Sequence, residues 1–458
     1  MSRLNDIALS RFDRAYFIGV GGIGMSALAR YFVAQGWEVA GYDKTPSPLT
    51  NQLIEEGVQI HFNDLGSAIP EEFKSASTLV VYTPAIPAEH GELKYFKAQN
   101  TVLLKRSEVL GLLTRQSKGL GVAGTHGKTT TSSMLAHILD VSSFGCNAFL
   151  GGIATNFDSN LVLHPKSKYT VVEADEFDRS FLQLTPFASI VTSNDPDHLD
   201  IYGDAAYFRE GFCMYSELID PHGILIQKEG LELRASCKVR SYAIDSASAD
   251  LEGMNLRFSE GKFSMDVRSD QDVWTDVELG IPGIHNAENA LACIGLCQFL
   301  GLSEAEIRHG LKTFLGVKRR FEYKVRTPDL VYIDDYAHHP TEINALVSSV
   351  RLLYPGMKIT GIFQPHLFSR TRDFFDGFAE ELSKLDELIL LPIYPARELP
   401  IAGVSSAVLL ENITLKEKQL LDPQEVIGLL GKRQNGVILT IGAGDIDRIV
   451  EPLKAALS

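Results

Sequence analysis

The residues between Leu120 and Leu139 combine the groups that bind a phosphate chain. Leu120, Val122 and Ala123 form a short apolar segment entering a loop with glycines at 121, 124 and 127. The loop leaves through Lys128, Thr129, Thr130 and Thr131 into Met134, Leu135, Ile138 and Leu139, which share one face at helical spacing. Strand, glycine loop and helix in that order turn backbone N–H groups inward around phosphates and add the dipole of a helix N-terminus. Lys128 is then placed to reach the terminal phosphates, and the hydroxyl of Thr129 or Thr130 to sit on magnesium. The strict P-loop pattern has a glycine six residues before its lysine, and that position is Val122. The loop is therefore a variant, Gly124-Thr125-His126-Gly127-Lys128-Thr129, and it predicts a nucleoside-triphosphate site.

Acidic clusters follow at the ends of apolar strands. Tyr169 to Glu173 continues into Asp175 and Glu176; Ala188 to Asn194 continues into Asp195, Asp197, His198 and Asp200. Beside a nucleotide such groups hold Mg²⁺, a hard cation that takes oxygen ligands. Glu173 follows its strand directly and is the candidate ligand, with His198 a further one. Asp178, Asp195 and Asp200 are accounted for as caps and turn residues.

A second glycine loop lies near the N-terminus. The apolar run Ala15 to Val20 leads into Gly19, Gly21, Gly22, Ile23, Gly24 and Met25, and a strand over Glu38 to Tyr42 ends at Asp43, 19 residues beyond Gly24. A dinucleotide, another nucleotide ligand or simple close packing would each satisfy this spacing. The strand Thr78 to Tyr82 runs into Thr83, Ala85 and Ile86, and a strand over Lys97 to Arg106 precedes a helix from Ser107 to Leu113. In the last third, Arg319 and Arg320 precede a strand, Leu330 to Ile333, that ends in Asp334, Asp335, Tyr336, His338 and His339. Another, Lys358 to Phe363, ends in Gln364, His366, Ser369, Arg370 and Arg372. Arg370 and Arg372 are permanently charged donors for phosphate or carboxylate. His338 and His339 are adjacent and point apart, which argues against a shared metal. His285, Asn286 and Asn289 stand before the apolar helix Ala290 to Leu300, either as caps or as readers of a base edge; spacing leaves the two equal.

The elements that must position these groups alternate strand and helix throughout, which predicts parallel α/β units with the polar clusters gathered on one edge of each sheet. The 458 residues suggest about three domains, with boundaries at 1–107, 108–315 and 316–458. A net charge of -15 argues against nucleic acid or an anionic membrane as partner. Five cysteines without a C-x-x-C pair, and no apolar run of about 18 residues, fit a reducing, cytoplasmic setting. An oxidoreductase built on Gly19 to Asp43 would leave Lys128 without a role. A non-catalytic nucleotide switch would make the His338 and Arg370 clusters superfluous.

Taken in order, Gly124-Thr-His-Gly-Lys-Thr-Thr-Thr, Glu173-Ala-Asp-Glu, Asn194-Asp-Pro-Asp-His-Leu-Asp, His285-Asn-x-x-Asn289, Asp334-Asp-Tyr-Ala-His-His-Pro and Ser369-Arg-Thr-Arg resemble the Mur ligases of peptidoglycan synthesis over nearly the whole chain. The resemblance implies a Rossmann-like N-terminal domain, a central P-loop ATPase domain with a parallel sheet and a Rossmann-like C-terminal domain. It implies ATP and Mg²⁺, and the joining of L-alanine to the lactyl carboxylate of UDP-N-acetylmuramate through an acyl phosphate; the alternative is the family's recycling branch, which attaches an intact tripeptide. By the same resemblance Lys128, His198, His338 and Arg370 are catalytic, and Thr129, Glu173 and His198 hold Mg²⁺. Gly124, Thr125, His126, Gly127, Lys128, Thr129, Thr130, His285, Asn289, Arg320 and Asp334 bind ATP. Gly21, Gly22, Ile23, Gly24, Met25, Asp43, Thr83, Ala85 and Ile86 bind the UDP-substrate, with His366, Arg370 and Arg372 facing its muramyl part. Several family members carry a carbamylated lysine where this chain reads Ala206-Tyr-Phe-Arg209-Glu210, so no carbamate is expected. A monomer or weak homodimer is the expected state.

Overall fold

The computed structural model describes residues 7–99, 101–196, 202–259, 262–270, 272–396 and 398–458. The chain divides into two compact units: residues up to Leu256 with Ser264–Gly280 and Glu288–Leu315, and Gly316–Ser458 with Arg257–Phe263 and Ile281–Ala287. Among the described residues no helix is long and apolar enough to cross a membrane.

The first unit holds two sheets. Strands β1 (Arg14–Ile18), β2 (Glu38–Tyr42), β3 (Gln59–His61), β4 (Thr78–Tyr82) and β5 (Leu103–Lys105) form a parallel sheet in the order β3-β2-β1-β4-β5. Alternate side chains of β1 enter different cores. Ala15 and Phe17 join Leu28 and Phe32 on one face, while Tyr16 and Ile18 join Phe73, Leu93 and Phe96 on the other. The strand order reverses between β1 and β4, so the loops that follow them flank the crevice where such sheets bind ligands. One expected strand is corrected. Lys97 belongs to the helix Gly91–Ala98, which buries Glu92, Leu93 and Phe96 at helical spacing, and only Leu103–Lys105 pairs with β4.

The second sheet has ten strands: β6 (Lys118–Ala123), β7 (Asn147–Ala154), β8 (Ser159–Val162), β9 (Tyr169–Glu173), β10 (Ala188–Val191), β11 (Ile224–Lys228), β12 (Lys238–Ile244), β13 (Leu251–Ser259), β14 (Lys262–Ser269) and β15 (Asp272–Leu279). Their order is β15-β14-β13-β12-β11-β10-β6-β9-β7-β8, so β6 lies between β10 and β9, parallel to both. The helices Lys128–Asp140 and Ile284–Leu300 are apolar and buried over most of their length. The two sheets are tied by the helix Ile23–Ala34. Fully buried Asn160 of β8 donates to Ile23 O at 2.5 Å and Ser26 Oγ at 2.9 Å, and accepts from Arg30 at 2.5 Å.

In the second unit, β16 (Glu322–Arg326), β17 (Leu330–Asp335), β18 (Ile359–Phe363), β19 (Glu387–Leu390), β20 (Lys418–Leu420) and β21 (Gly436–Ile441) run in the order β16-β17-β21-β18-β19-β20. All neighbours are parallel except β16. Asp334 and Asp335 are the last residues of β17 rather than residues beyond it, and Ser369 to Arg372 lie in the short helix Phe368–Asp373.

Candidate functional site

Strand β6 delivers Ala123 into the glycine loop, and the helix Lys128–Asp140 begins at once, capped by Gly127 at φ 82°. Gly124 stands at φ 141°, and a Cβ there would lie 2.0 Å from Thr192 Oγ1. The chain that crowds it is the extension of β10. Thr192 donates to the carbonyls of Ala123, at 3.2 Å, and of His126. Ser193 Oγ accepts from the His126 N–H at 2.9 Å, and Thr125 Oγ1 donates to the Asp195 carbonyl at 2.7 Å. At Gly127 a Cβ would come within 2.9 Å of Asn289 Oδ1, so the proposed base-reading amide abuts the loop.

Lys128 folds back over this loop. Its Nζ donates to Gly124 O at 2.6 Å, Thr125 O at 3.3 Å and Glu176 Oε1 at 2.8 Å. Burial works against the charge on Lys128, but Glu176, Asp175 and Glu173 outweigh it and hold the ammonium above the usual lysine range. Burial raises the Glu176 carboxyl above the usual carboxylate range, with the Lys128 ammonium opposing and Asp175 adding. Glu173 ends β9 opposite Val122 of β6 and accepts from the Gly151 N–H at 3.1 Å. Thr129 and Thr130 are buried in the first helical turn. Of the expected metal set, Glu173 is the last residue of β9 rather than the one after it, Thr129 stands in the helix that follows the neighbouring β6, and His198 lies outside the described residues. Among the described residues no three His, Cys, Asp or Glu side chains are grouped to hold a metal ion.

The N-terminal loop is shaped by the residues expected to bind a ligand. Asp43 Oδ2 accepts from the Gly21 N–H at 2.7 Å, and Oδ1 accepts from the Thr45 N–H at 3.3 Å. Gly19, at φ 92°, leaves room for Thr83 and Ile86, whose side chains would lie 2.8 Å and 3.3 Å from a Cβ there. Gly22 caps the helix that carries Ile23, Gly24 and Met25. Gly24 lies against Arg106, whose Nη2 pairs with Asp175 at 3.0 Å, and Lys105 pairs with Asp178 at 2.6 Å. A cavity of about 110 Å³ lined by Gly24, Arg106, Gly151, Glu173 and Asp175 thus joins the glycine loop to the acidic cluster.

The second unit gathers its polar groups at the ends of β17, β18 and β21. Fully buried Asp334 accepts from Thr440 at 2.6 Å and lies 3.4 Å from Arg319 Nε. Asp335 accepts from the N–H groups of Phe321 and Ala337, and burial raises it to about 6 against the pull of Arg320. The Tyr336 ring meets Arg319 and Arg320 at 5.1 and 5.0 Å. His338 Nδ1 lies 3.0 Å from Tyr336 O, and its ring centroid is 6.4 Å from that of His366. Burial lowers both imidazoles to about 4; Glu342 opposes this at His338 and Arg370 reinforces it at both. They are neutral at pH 7. His285 is lowered to about 4 in the same way, with Arg320 adding to burial. His339 caps the helix Pro340–Leu353 instead of joining His338. Arg372 is half exposed and pairs with its neighbour Asp373.

Comparison with known proteins gives this arrangement a lineage. The family model described as Mur ligase family, catalytic domain, matches residues 14–118; the Mur ligase middle domain matches 122–297, and the Mur ligase, glutamate ligase domain, matches 319–444. The chain belongs to the Mur ligase family. A UDP-N-acetylmuramate–L-alanine ligase of Parabacteroides distasonis is 50% identical to this Mur ligase over 98% of both chains. Among solved structures, the UDP-N-acetylmuramate-alanine ligase of Thermotoga maritima superposes with a TM-score of 0.82 at 27% identity, covering 96% of this chain and 98% of that one. A murein peptide ligase of Psychrobacter arcticus shares the fold, with a TM-score of 0.68 at 22% identity over 97% and 98%.

Sequence reasoning passed over several residues that shape this Mur ligase's clusters. Glu176 was visible only as the last acid of Glu173-Ala-Asp-Glu; nothing local reveals that it turns back to Lys128. Thr192 and Ser193 mould the phosphate loop from another strand. Arg106 carried a usable signal, being a basic residue at a strand's C-terminal end on the ligand edge. Glu342 and Glu398, which hold His338 and Ser369, lie outside the motifs the sequence offered.

Proposed function

We propose that this Mur ligase uses ATP to join L-alanine to the lactyl carboxylate of UDP-N-acetylmuramate. The observation that carries this reading is the 50% identity, end to end, with a relative named for that reaction. It favours alanine over an intact tripeptide as acceptor. In the reaction a carboxylate oxygen attacks the γ-phosphorus as the bond to ADP breaks, giving an acyl phosphate. The alanine amine then attacks the acyl carbon, phosphate leaves, and the amine sheds its proton.

The site chemistry supports assigned roles. Two anions must approach each other, and the charge of Lys128 is already engaged by Glu176, with Asp175 and Glu173 acting on it from farther away, so the lysine alone does not supply the positive charge the step needs. Mg²⁺ would supply the missing positive charge at the phosphates, and Thr129 and Glu173 provide the hard oxygen donors such an ion takes. His198 is assigned to a second ion by resemblance. Gly124 to Thr130 would cradle the phosphates, with Asn289 and His285 toward the base and Arg320 and Asp334 toward the rest of ATP. The loop Gly21–Met25, Asp43, Thr83, Ala85 and Ile86 would take the UDP part of the substrate. His338, His366, Arg370 and Arg372 would face the muramyl group and its acyl phosphate. The same reading makes the protein cytoplasmic, acting as a monomer or weak homodimer.

Phosphate release from ATP with UDP-N-acetylmuramate tests it, comparing L-alanine with the L-alanyl-γ-D-glutamyl-diaminopimelate tripeptide. Release with alanine is expected. Release with the tripeptide alone would transfer the chain to the recycling branch, and release with neither would overturn the substrate assignment.

A further inference from the structure

We propose that Glu176 is a latch on Lys128. Its carboxylate holds the ammonium group that a phosphate would take over, and it must leave that position for a nucleotide to bind. The proposal rests on the ATP reading above.

An ammonium group has three N–H donors. On Lys128 all three have protein acceptors: Gly124 O, Thr125 O and the Glu176 carboxylate. A phosphate must therefore displace one of them. The two carbonyls belong to a loop that cannot yield easily, since Thr192 crowds Gly124 and Thr125 is bonded to Ser193 and Asp195. The third acceptor is a side chain with rotatable bonds. It is also the one whose charge conflicts with the ligand, because a carboxylate and a phosphate on one buried ammonium repel each other.

The carboxylate is aimed by its main chain. Tyr202 donates to Glu176 O at 2.6 Å, the Arg179 N–H donates to the same oxygen at 2.9 Å, and Asp178 and Arg179 follow at φ 51° and 53°. Backbone in this left-handed region is held by its bonds, not chosen by ordinary side chains. The adjacent acid, Asp175, is engaged elsewhere, by Arg106 at 3.0 Å. Glu176 is 2% exposed, so its carboxylate faces Lys128 rather than water. An acid held in this way keeps the loop in shape and sets a threshold for nucleotide entry. It acts through Lys128 and is a positioning residue.

The test is the full chain carrying Glu176→Gln, with two readouts. Binding of ADP and of a non-hydrolysable ATP analogue, each with Mg²⁺, is measured by calorimetry; melting is measured without nucleotide. Removing the competing charge should tighten nucleotide binding on the order of tenfold, the scale of one charged hydrogen bond, while the ligand-free protein melts earlier. The opposite signs are diagnostic. A purely structural Glu176 would weaken both, and a phosphate or metal contact would weaken binding; either result overturns the latch, as does an unchanged ligand-free melting temperature. Glu176→Asp, which keeps the charge but draws it back from Nζ, should shift both readouts the same way by a smaller factor, and decides the matter if the glutamine variant does not fold. Failure of the wild-type chain to bind either nucleotide would overturn the ATP reading itself, and the latch with it.

Discussion

Replacing Gly124 by alanine places a methyl group where Thr192 Oγ1 stands, 2.0 Å from the new carbon, with the backbone nitrogens of Ser193 and Thr192 at 3.0 and 3.1 Å. Three costs combine. A side chain at φ 141° costs roughly 1–3 kcal/mol. Overpacking against the β10 extension adds roughly 1–3 kcal/mol. Driving the Thr192 hydroxyl from the Ala123 and His126 carbonyls adds about 1 kcal/mol. The expected total is roughly 3–7 kcal/mol, with a loss of nucleotide affinity because the loop is reshaped. Both tryptophans, Trp37 and Trp274, lie in the first unit, so urea unfolding followed by tryptophan fluorescence reports on it. Thr192→Ala removes the crowding hydroxyl but not the strained φ. Combined with Gly124→Ala it should therefore recover roughly 1–2 kcal/mol relative to additive behaviour. A Gly124→Ala variant within 1 kcal/mol of wild type by this assay, or strict additivity in the pair, would refute the claim that Thr192 moulds the loop.

Lys128→Ala should lower the ligation rate by roughly a thousandfold or more, as loss of a charge on a transferring phosphoryl group does; a near-normal rate in the phosphate-release assay would remove Lys128 from the reaction. Glu173→Gln should raise the Mg²⁺ concentration needed for half-maximal turnover about tenfold or more, and an unchanged magnesium titration would leave Glu173 only its bond to Gly151. Asn160→Ala strips partners from Ile23 O, Ser26 and Arg30, and should destabilise the first unit by about 2–3 kcal/mol. It should also weaken UDP-substrate binding, because Ile23 begins the helix after the glycine loop; unaltered affinity would separate that helix from the substrate. Burial, reinforced by His309, lowers His137 to about 4, whereas an unfolded histidine titrates near 6.5. The unfolded chain then binds the extra proton between those values, so this residue's contribution is full above about 6.5 and is lost as pH falls toward 4. His137→Gln should flatten the difference in urea stability between pH 7 and 4.5, and an identical slope would contradict the buried neutral assignment.

Much of the fold was open to local inspection. The periodicity of Met134 to Leu139 marks a helix, and the runs at Glu38, Thr78, Tyr169 and Ala188 mark strands, because burial on one or both faces leaves its period in neighbouring residues. Glycines at 19, 124 and 127 have left-handed φ values that other residues resist, so their positions announce the loops. The segment Lys97 to Arg106 was misread because Leu93 and Phe96, which define its helical face, lie before the stretch that looked extended. Within the site, residue types and their order were legible, since chemistry depends on the groups themselves. Their partners were not. Glu176 meets Lys128 across 48 residues, Thr192 meets Gly124 across 68, and Arg106 meets Asp175 across 69. Those meetings follow from β6 lying between β9 and β10 and from the helix Ile23–Ala34 docking on β8. By itself, the sequence determined which groups stand at strand ends and which loops can wrap a phosphate. Tertiary structure decided which acid neutralises which cation, because strand order is set by burying both faces of a sheet at once and leaves no periodic trace along the chain.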